Sequence, residues 1–577
     1  MNSLSEAVPN TPEVGVGPDA NGVVPKGLKP RFFEAFTTAI AFSAFLLLVC
    51  LVQQRAGAPG AAFGGFPDEC AHYIGGLAIH DYLAHAVGHD PVAFLRDYHL
   101  RVPFFAIGVW PPFFYVLEGL WMGIFGVQRA PVLWMIAASA AGLATLLFWM
   151  VRRKLGFWLA ASAGCAFLLI PSVQWSACLV MADLTCSLLA LASIVFFARF
   201  VERGRWYDSA IFGVLAGFSL LTKNSTYFIV LVPPIVVVAG RRWDLLRNRA
   251  FWFAPIIAAV LYTPWFVVSQ PFLSLSVQGG VLVHKDNLGV QLPAFWGIQR
   301  DYAMALWREI SIFLPAGIAG AILLMCSKQK MSAFAMCMVA TLPAASVGIF
   351  VARVMVQGRL LMVPFCALLF LTTELCCFMR PSRRLVTMLA AVLVFGYANW
   401  MKFQRPPAND IHSAVAYIQA RDAENPGAVL LPSGSEGPWI AEFAANEPHR
   451  PQRVMLRPTK MLGTEDWNGT NWQPYYQSLD EIGAFLKRVP VRYCILARRP
   501  PHPSAMAQDA SIGSRIYPHD ALLERAVAGN PSGWRLVYEH PTASGGAYRI
   551  FENQEWTPQS EPRVLAEVSR LWRKYLP

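Results

Sequence analysis

A handful of ionisable residues interrupt a chain that is otherwise largely apolar. Asp68 and Glu69 lie in Phe66-Pro67-Asp68-Glu69-Cys70-Ala71-His72-Tyr73, Asp183 in Leu179-Val180-Met181-Ala182-Asp183-Leu184, and Lys223 in Leu220-Leu221-Thr222-Lys223-Asn224. Arg353 and Arg359 flank Val356-Gln357-Gly358. A charge near the centre of a membrane helix costs a few kcal/mol, so such residues need a reason. Adjacent carboxylates repel, and one of them can be held partly protonated and accept a proton near neutral pH. Singly, each has a plain structural reading: a solvated turn at 68–69, a helix cap at Asp183, a snorkelling Lys223, a carbonyl anchor at Arg359. Together, on one side of an apolar bundle, they outline an amphipathic cleft. A carboxylate there can take the proton of an attacking hydroxyl while a cation neutralises a departing phosphate. That set suits sugar transfer from a polyprenyl phosphate lodged in the membrane.

The elements that must position these residues are mostly membrane helices. Of 577 residues, 55% are hydrophobic and 15% charged, and the mean hydropathy is +0.40. A soluble globule carries nearer a quarter of charged residues, so the composition excludes that class. A dozen apolar segments stand near 35–52, 105–126, 130–151, 156–175, 178–200, 208–222, 225–240, 251–269, 307–326, 332–351, 357–379 and 384–400. Basic clusters at Arg152 to Lys154, Arg199 to Arg205, Arg241 to Arg249, Lys328 to Lys330 and Arg380 to Arg384 follow the positive-inside rule if all are cytoplasmic. The loops 53–104, 176–183, 223–224, 270–306 and 352–358 then face outward, and parity requires that 105–126 does not cross simply; the runner-up topology has 105–126 crossing and Arg152 to Lys154 outside, which breaks the charge rule once. The expectation is a polytopic α-helical membrane protein of 11–13 transmembrane helices.

The first 30 residues, rich in Pro, Gly, Asn and Val, read as a disordered cytoplasmic tail. After Trp400 the polarity becomes ordinary. Helix-like stretches (438–446, 479–489, 521–528) and strand-like runs (428–431, 453–456, 491–497, 534–539, 548–551) predict a soluble α/β domain over 403–577, on the outer side.

Five histidines in the first outward loop, His72, His80, His85, His89 and His99, join Asp68 and Glu69 in inviting a metal reading. Against it, His80 and His85 are not at i,i+4 spacing, and a zincin needs a His before the Glu. The stretch from His72 to Leu95 reads instead as an amphipathic helix and turn on the membrane surface. A divalent metal stays open, with no other cofactor. The eleven cysteines form no CxxC pair, and no Gly-rich phosphate loop is present. The net charge of +12 is spread over small clusters rather than one stripe, which speaks against nucleic acid.

The ordered motifs Phe66-Pro67-Asp68-Glu69-x-x-His72-Tyr73, Trp110-Pro111-Pro112-Phe113-Phe114-Tyr115, Met181-Ala182-Asp183, Leu221-Thr222-Lys223 and Gln357-Gly358-Arg359-Leu360-Leu361 resemble the GT-C glycosyltransferase superfamily. The nearest pattern is the dolichyl-phosphate-mannose-protein mannosyltransferase-like group (family 39 type) that includes the aminoarabinose transferase of lipid A, and it spans roughly residues 30 to 400. The resemblance implies an inverting hexosyl- or pentosyltransferase at the outer face of the inner (plasma) membrane. It would use a polyprenyl phosphate-linked sugar donor and an extracytoplasmic acceptor: protein, lipid or glycan. By position it makes Asp68 the base and Glu69 its acidic neighbour, with Asp183, Lys223, Arg359, His72 and Tyr73 facing donor or acceptor. Trp110 stands where many relatives have a basic residue or His, and Leu360 where a Tyr is common. The alternatives are a non-catalytic transporter or lipid-handling protein, and a scaffold that binds through 434–443.

Overall fold

The structure, a computed structural model, describes residues 30–103, 110–270, 292–327, 331–352, 356–400, 403–448, 450–464, 472–498, 517–542 and 545–572. Arg353, Lys328 to Lys330 and residues 1–29 of the expected N-terminal tail lie outside the described residues. Helices dominate the first 400 positions: α1 (Pro30–Ala56), α2 (Glu69–His85), α3 (Pro91–Arg101), α4 (Phe113–Phe125), α5 (Arg129–Leu155), α6 (Phe157–Leu168), α7 (Pro171–Ala177) and α8 (Asp183–Arg203). They continue as α9 (Trp206–Thr222), α10 (Val232–Ala239), α11 (Phe253–Ser269), α12 (Leu292–Ile310), α13 (Phe313–Cys326), α14 (Ala333–Ala352), α15 (Met362–Cys376) and α16 (Pro381–Trp400).

Among the described residues, five helices are long and apolar enough to cross a membrane: α1, α5, α8, the stretch Arg249–Ser269 containing α11, and α14. Two bent pairs, α6 with α7 at 71° and α12 with α13 at 113°, are apolar enough only when taken together, which gives up to seven spans if each pair counts as one. Four shorter apolar helices complete the set, among them α4. With 13 residues, α4 is about 20 Å long, shorter than the ~30 Å hydrocarbon core. The stretch 292–306, expected within an outward loop, instead belongs to the helix α12.

Asp183 and Arg203 terminate α8, so the acidic start and the basic finish of this span are about 30 Å apart. Glycines let the bundle close. A Cβ on Gly213 would meet the Ala254 carbonyl oxygen at 2.6 Å, and one on Gly317 would meet that of Leu368 at 2.7 Å. Such contacts bring backbones together where lipid gives no hydrophobic drive.

The C-terminal part adds α17 (His412–Arg421), α18 (Glu436–Asn446), α19 (Leu479–Arg488), α20 (Pro518–Ala528) and α21 (Glu561–Trp572). Its strands are β1 (Val429–Leu430), β2 (Met455–Leu456), a short hairpin of β3 (Gly463–Thr464) and β4 (Gln473–Pro474), and β5 (Tyr493–Arg498), β6 (Trp534–Pro541) and β7 (Ala547–Asn553). The main sheet runs β2-β1-β5-β7-β6, parallel across β2-β1-β5 and antiparallel beyond. Period-2 alternation splits its side chains. Ala428, Leu430, Cys494, Leu496 and Phe551 pack with α19, α20 and α21. Val429, Leu431, Tyr493, Ile495, Tyr548 and Ile550 face the other way, into a core shared with Phe63, Tyr73, Ile74 and Leu77 of the first loop and α2.

That shared core corrects the surface-helix reading of 72–95. From Glu69 to Ala78 every residue of α2 is buried, with α4 on one side and α18 on another. Gly75 and Gly76 admit α4, because Cβ atoms there would strike the Tyr115 ring and the Glu118 carboxyl.

Candidate functional site

Four of the predicted charges converge although they are scattered over nearly 300 positions. Asp183 opens α8, but its carboxylate does not cap the helix: it accepts from Lys223 Nζ at 3.0 Å through Oδ1 and 2.9 Å through Oδ2. Lys223 caps the end of α9, where the following turn is pinned to α8 by Thr226, Ser219 and Cys186. Its ammonium therefore turns into the protein rather than snorkelling outward. Arg359 stands on the single turn Gly358–Leu360 before α15, and its Nη1 donates to Asp68 Oδ2 at 3.2 Å and lies 3.7 Å from Asp183 Oδ2. Gln357 Oε1 accepts from Arg359 Nε at 2.7 Å, and the guanidinium sits 3.9 Å over the Phe66 ring. Gly358 is required by close approach, since a Cβ would meet Glu309 Oε1 at 2.5 Å and Ser172 Cβ at 2.8 Å.

Two carboxylates and two cations thus form one network with no net charge. Asp183 is almost wholly buried, whereas the Asp68 side chain is 24% exposed. Within this network Asp68 is the carboxylate that can meet a substrate.

Glu69 is placed quite differently from its neighbour. It is fully buried, and Oε2 accepts from the Gly64 and Gly65 amides at 3.0 Å each while Oε1 accepts from the Val180 amide at 3.1 Å. The Arg129 guanidinium lies 2.5 Å from Oε1, and itself donates to the Ala58 and Cys178 carbonyls. The pair ties the loop before Asp68 to the segment before Asp183. The repulsion expected between Asp68 and Glu69 is relieved because each faces its own arginine.

A cavity of about 360 Å³ opens beside the network, lined by Phe66, Gln174, Trp175, Arg308 and Arg359 among others, between α7, α12 and the turn of Arg359. Ligand pockets begin near 300 Å³. Arg308 is a residue that sequence reasoning missed. It is exposed, lines the cavity, and has no ion pair among the described residues. Its signal was weak, since one arginine in an amphipathic stretch reads as an interfacial charge.

His72 Nδ1 lies 2.9 Å from the Tyr115 hydroxyl, and the ring stacks on Trp110. Burial, and then the nearby charges of Lys223 and Arg359, hold its pKa well below the ordinary 6.5, so the imidazole is neutral. Nε2 is buried without a hydrogen-bond partner among the described residues. Tyr73 points elsewhere: its hydroxyl donates to the Val127 carbonyl at 2.7 Å and its ring packs on Phe63. No group of three or more His, Cys, Asp or Glu side chains that could hold a metal occurs among the described residues.

Comparison with known proteins bears on the fold. Residues 109–267, which include Asp183 and Lys223, match the family model "Dolichyl-phosphate-mannose-protein mannosyltransferase". No curated protein matches the sequence. ArnT from Cupriavidus metallidurans, solved with undecaprenyl phosphate bound, is similar with a TM-score of 0.55 at 12% identity, over 90% of this chain and 98% of that one. The archaeal oligosaccharyltransferase AglB from Archaeoglobus fulgidus, solved with an inhibitory peptide and a dolichol-phosphate, gives 0.52 at 10% identity, over 89% and 80%. At such identities the likeness is one of fold. The chain has the GT-C glycosyltransferase fold, and carries the mannosyltransferase-family pattern over 109–267.

Proposed function

We propose that the protein moves a sugar from a polyprenyl phosphate-linked donor to a hydroxyl-bearing acceptor outside the cytoplasm, with inversion at the anomeric carbon and Asp68 as the base. The observation that carries this reading is the Asp68–Arg359–Asp183–Lys223 network beside the cavity. The donor phosphate lies against Arg359 and Arg308, with its isoprenoid tail among the apolar helices. Because the network is already neutral, Arg308 supplies the additional positive charge that a leaving phosphate needs. Asp183 aligns Lys223 and Arg359 and does not itself touch substrate. His72, neutral and close to both cations, offers Nε2 as an acceptor for a substrate hydroxyl once the site opens.

The number of free carboxylates in the network supports inversion. Glu69 is engaged by three amides and Arg129, and Asp183 by two cations, which leaves Asp68 as the available carboxylate among the described residues of the network. A single displacement needs one base. That base accepts the acceptor hydroxyl proton as the oxygen attacks the anomeric carbon and the bond to phosphate breaks.

Replacing Asp68 by Asn keeps the shape and removes the base. We expect transfer to fall by about 10²–10⁴-fold, with expression and membrane insertion unchanged. The assay is sugar transfer by purified protein from a set of undecaprenyl-phosphate sugars, with the anomeric configuration of the product read by NMR. Full activity in D68N, or a retained configuration, refutes this assignment.

A further inference from the structure

The loop that carries Asp68 is held from two ends of the chain. One hold is the Glu69–Arg129 pair already described. The other comes from the C-terminal part, more than 300 positions away. Gly64 has a φ of +96°, and a Cβ built on it would lie 2.6 Å from Pro438 Cγ, so the loop backbone rests directly on the first turn of α18. The Ala62 amide donates to the Pro407 carbonyl at 3.1 Å. Further along α2, Asp81 is 1% exposed and accepts from Arg450 Nε at 3.1 Å through Oδ2 and Nη2 at 3.3 Å through Oδ1. The same carboxylate takes the Tyr98 hydroxyl of α3 at 3.0 Å and lies 2.8 Å from His80 Nδ1. Gln128, just ahead of α5, donates to the Ala445 carbonyl at 3.2 Å. Neither Asp81, Arg450, Gly64 nor Pro438 lines the cavity or belongs to the ionic network.

We infer that the C-terminal part is a positioning component of the site, acting through the buried Asp81–Arg450 junction and the Gly64–Pro438 contact. The inference rests on the reading of Asp68 as base. The physical argument is one of leverage and rigidity. Asp81 sits on the same helix as His72, and that helix begins at Glu69, so a junction that fixes α2 also fixes the loop feeding into it. A buried carboxylate with a guanidinium and a phenol as partners has one low-energy arrangement, because leaving any partner unpaired in a dry site is costly. Asp68 must stay within hydrogen-bond reach of Arg359 while remaining open to an acceptor, and displacements near 1 Å are enough to cost much of a rate. Arg450 is accordingly a positioning residue. It acts through α2 and the loop 57–68 and touches no reacting atom.

The test uses the full chain in lipid nanodiscs, as wild type, Arg450→Gln, Arg450→Lys and Gly64→Ala. Two quantities are read: amide hydrogen exchange of the segment 57–68, and turnover with undecaprenyl-phosphate mannose as the donor probe. Arg450→Gln and Gly64→Ala are expected to speed exchange of 57–68 and to lower kcat, each by about tenfold, with KM for the probe within about twofold of wild type. Arg450→Lys keeps a charge without the fork and falls between. Exchange and kcat both at wild-type level in Arg450→Gln overturn the inference, and so does a change confined to KM. If Arg450→Gln does not fold, the milder Arg450→Lys and Gly64→Ala decide the question. Should the wild type transfer nothing from any polyprenyl phosphate sugar, the proposed function fails, while the exchange data still decide whether the C-terminal part holds the loop.

Discussion

At the scale of single residues, two neighbouring acids have opposite fates. Asp68 keeps about a quarter of its side chain exposed beside Arg359, whereas Glu69 is buried with four partners. Glu69→Gln should therefore act on stability, because it leaves the Arg129 guanidinium buried without its counter-charge. The expected loss is about 3–5 kcal/mol, seen as a lower midpoint in thermal unfolding, and contrasts with the unchanged midpoint of D68N. His72 gives a pH signature. Its folded pKa is depressed, so the unfolded chain binds the proton first, and stability falls as pH drops below the ordinary value of 6.5 toward the folded one. A thermal-unfolding series from pH 7.5 to 5 should show this slope, and His72→Gln should flatten it. The sequence displayed Asp68, Asp183, Lys223 and Arg359 because each breaks an apolar run. It hid the division of labour between Asp68 and Glu69, since the partner that decides it, Arg129, reads as an ordinary start to a membrane helix.

At the scale of elements, the site depends on helices that end in the right place. α8 begins at Asp183 and Lys223 caps the end of α9, so the opposed ends of two packed antiparallel helices meet in one ion pair. α13 and α15 pack as closely, with no room for a side chain at Gly320, where a Cβ would collide with the Leu371 carbonyl. Gly320→Leu should cost about 1–3 kcal/mol by overpacking, measured as a lower unfolding midpoint, and should displace the Arg359 turn that precedes α15. Hydropathy made most of these helices legible, because an apolar run is long compared with its uncertainty. The five strands of the main sheet and the helices α18, α19 and α20 were equally readable from period-2 and period-3.6 patterns, whereas α17, α21 and the β3-β4 hairpin were not read. What could not be read was α2: its histidines and glycines look like a solvated surface helix, and only packing against α4 and α18 shows that it is interior.

At the scale of the whole molecule, the polar last third is no appendage. Trp439, Ile440, Phe443, Tyr493 and Tyr548 share one hydrophobic cluster with Phe63, Tyr73, Ile74 and Leu77. A chain cut after Trp400 should expose that face and aggregate. Size-exclusion chromatography in detergent should show loss of the monodisperse peak rather than a smaller active protein. Composition marks a boundary near residue 400, where an apolar chain turns ordinary in polarity. It carried no information that the first loop crosses that boundary to complete the second core, because each half of such a core is only a few scattered apolar residues in its own segment.

This shared cluster sets an order of events during synthesis. The ribosome releases the Asp68 loop early, yet the surface on which Gly64 rests is made more than 300 residues later, which at cellular elongation rates is roughly 15–70 s. Through that interval the nascent protein holds its cations and lipid-facing helices but lacks the second support for the loop of Asp68. On the proposed reading, full turnover begins only after the chain through Arg450 has been made and has seated beneath the loop.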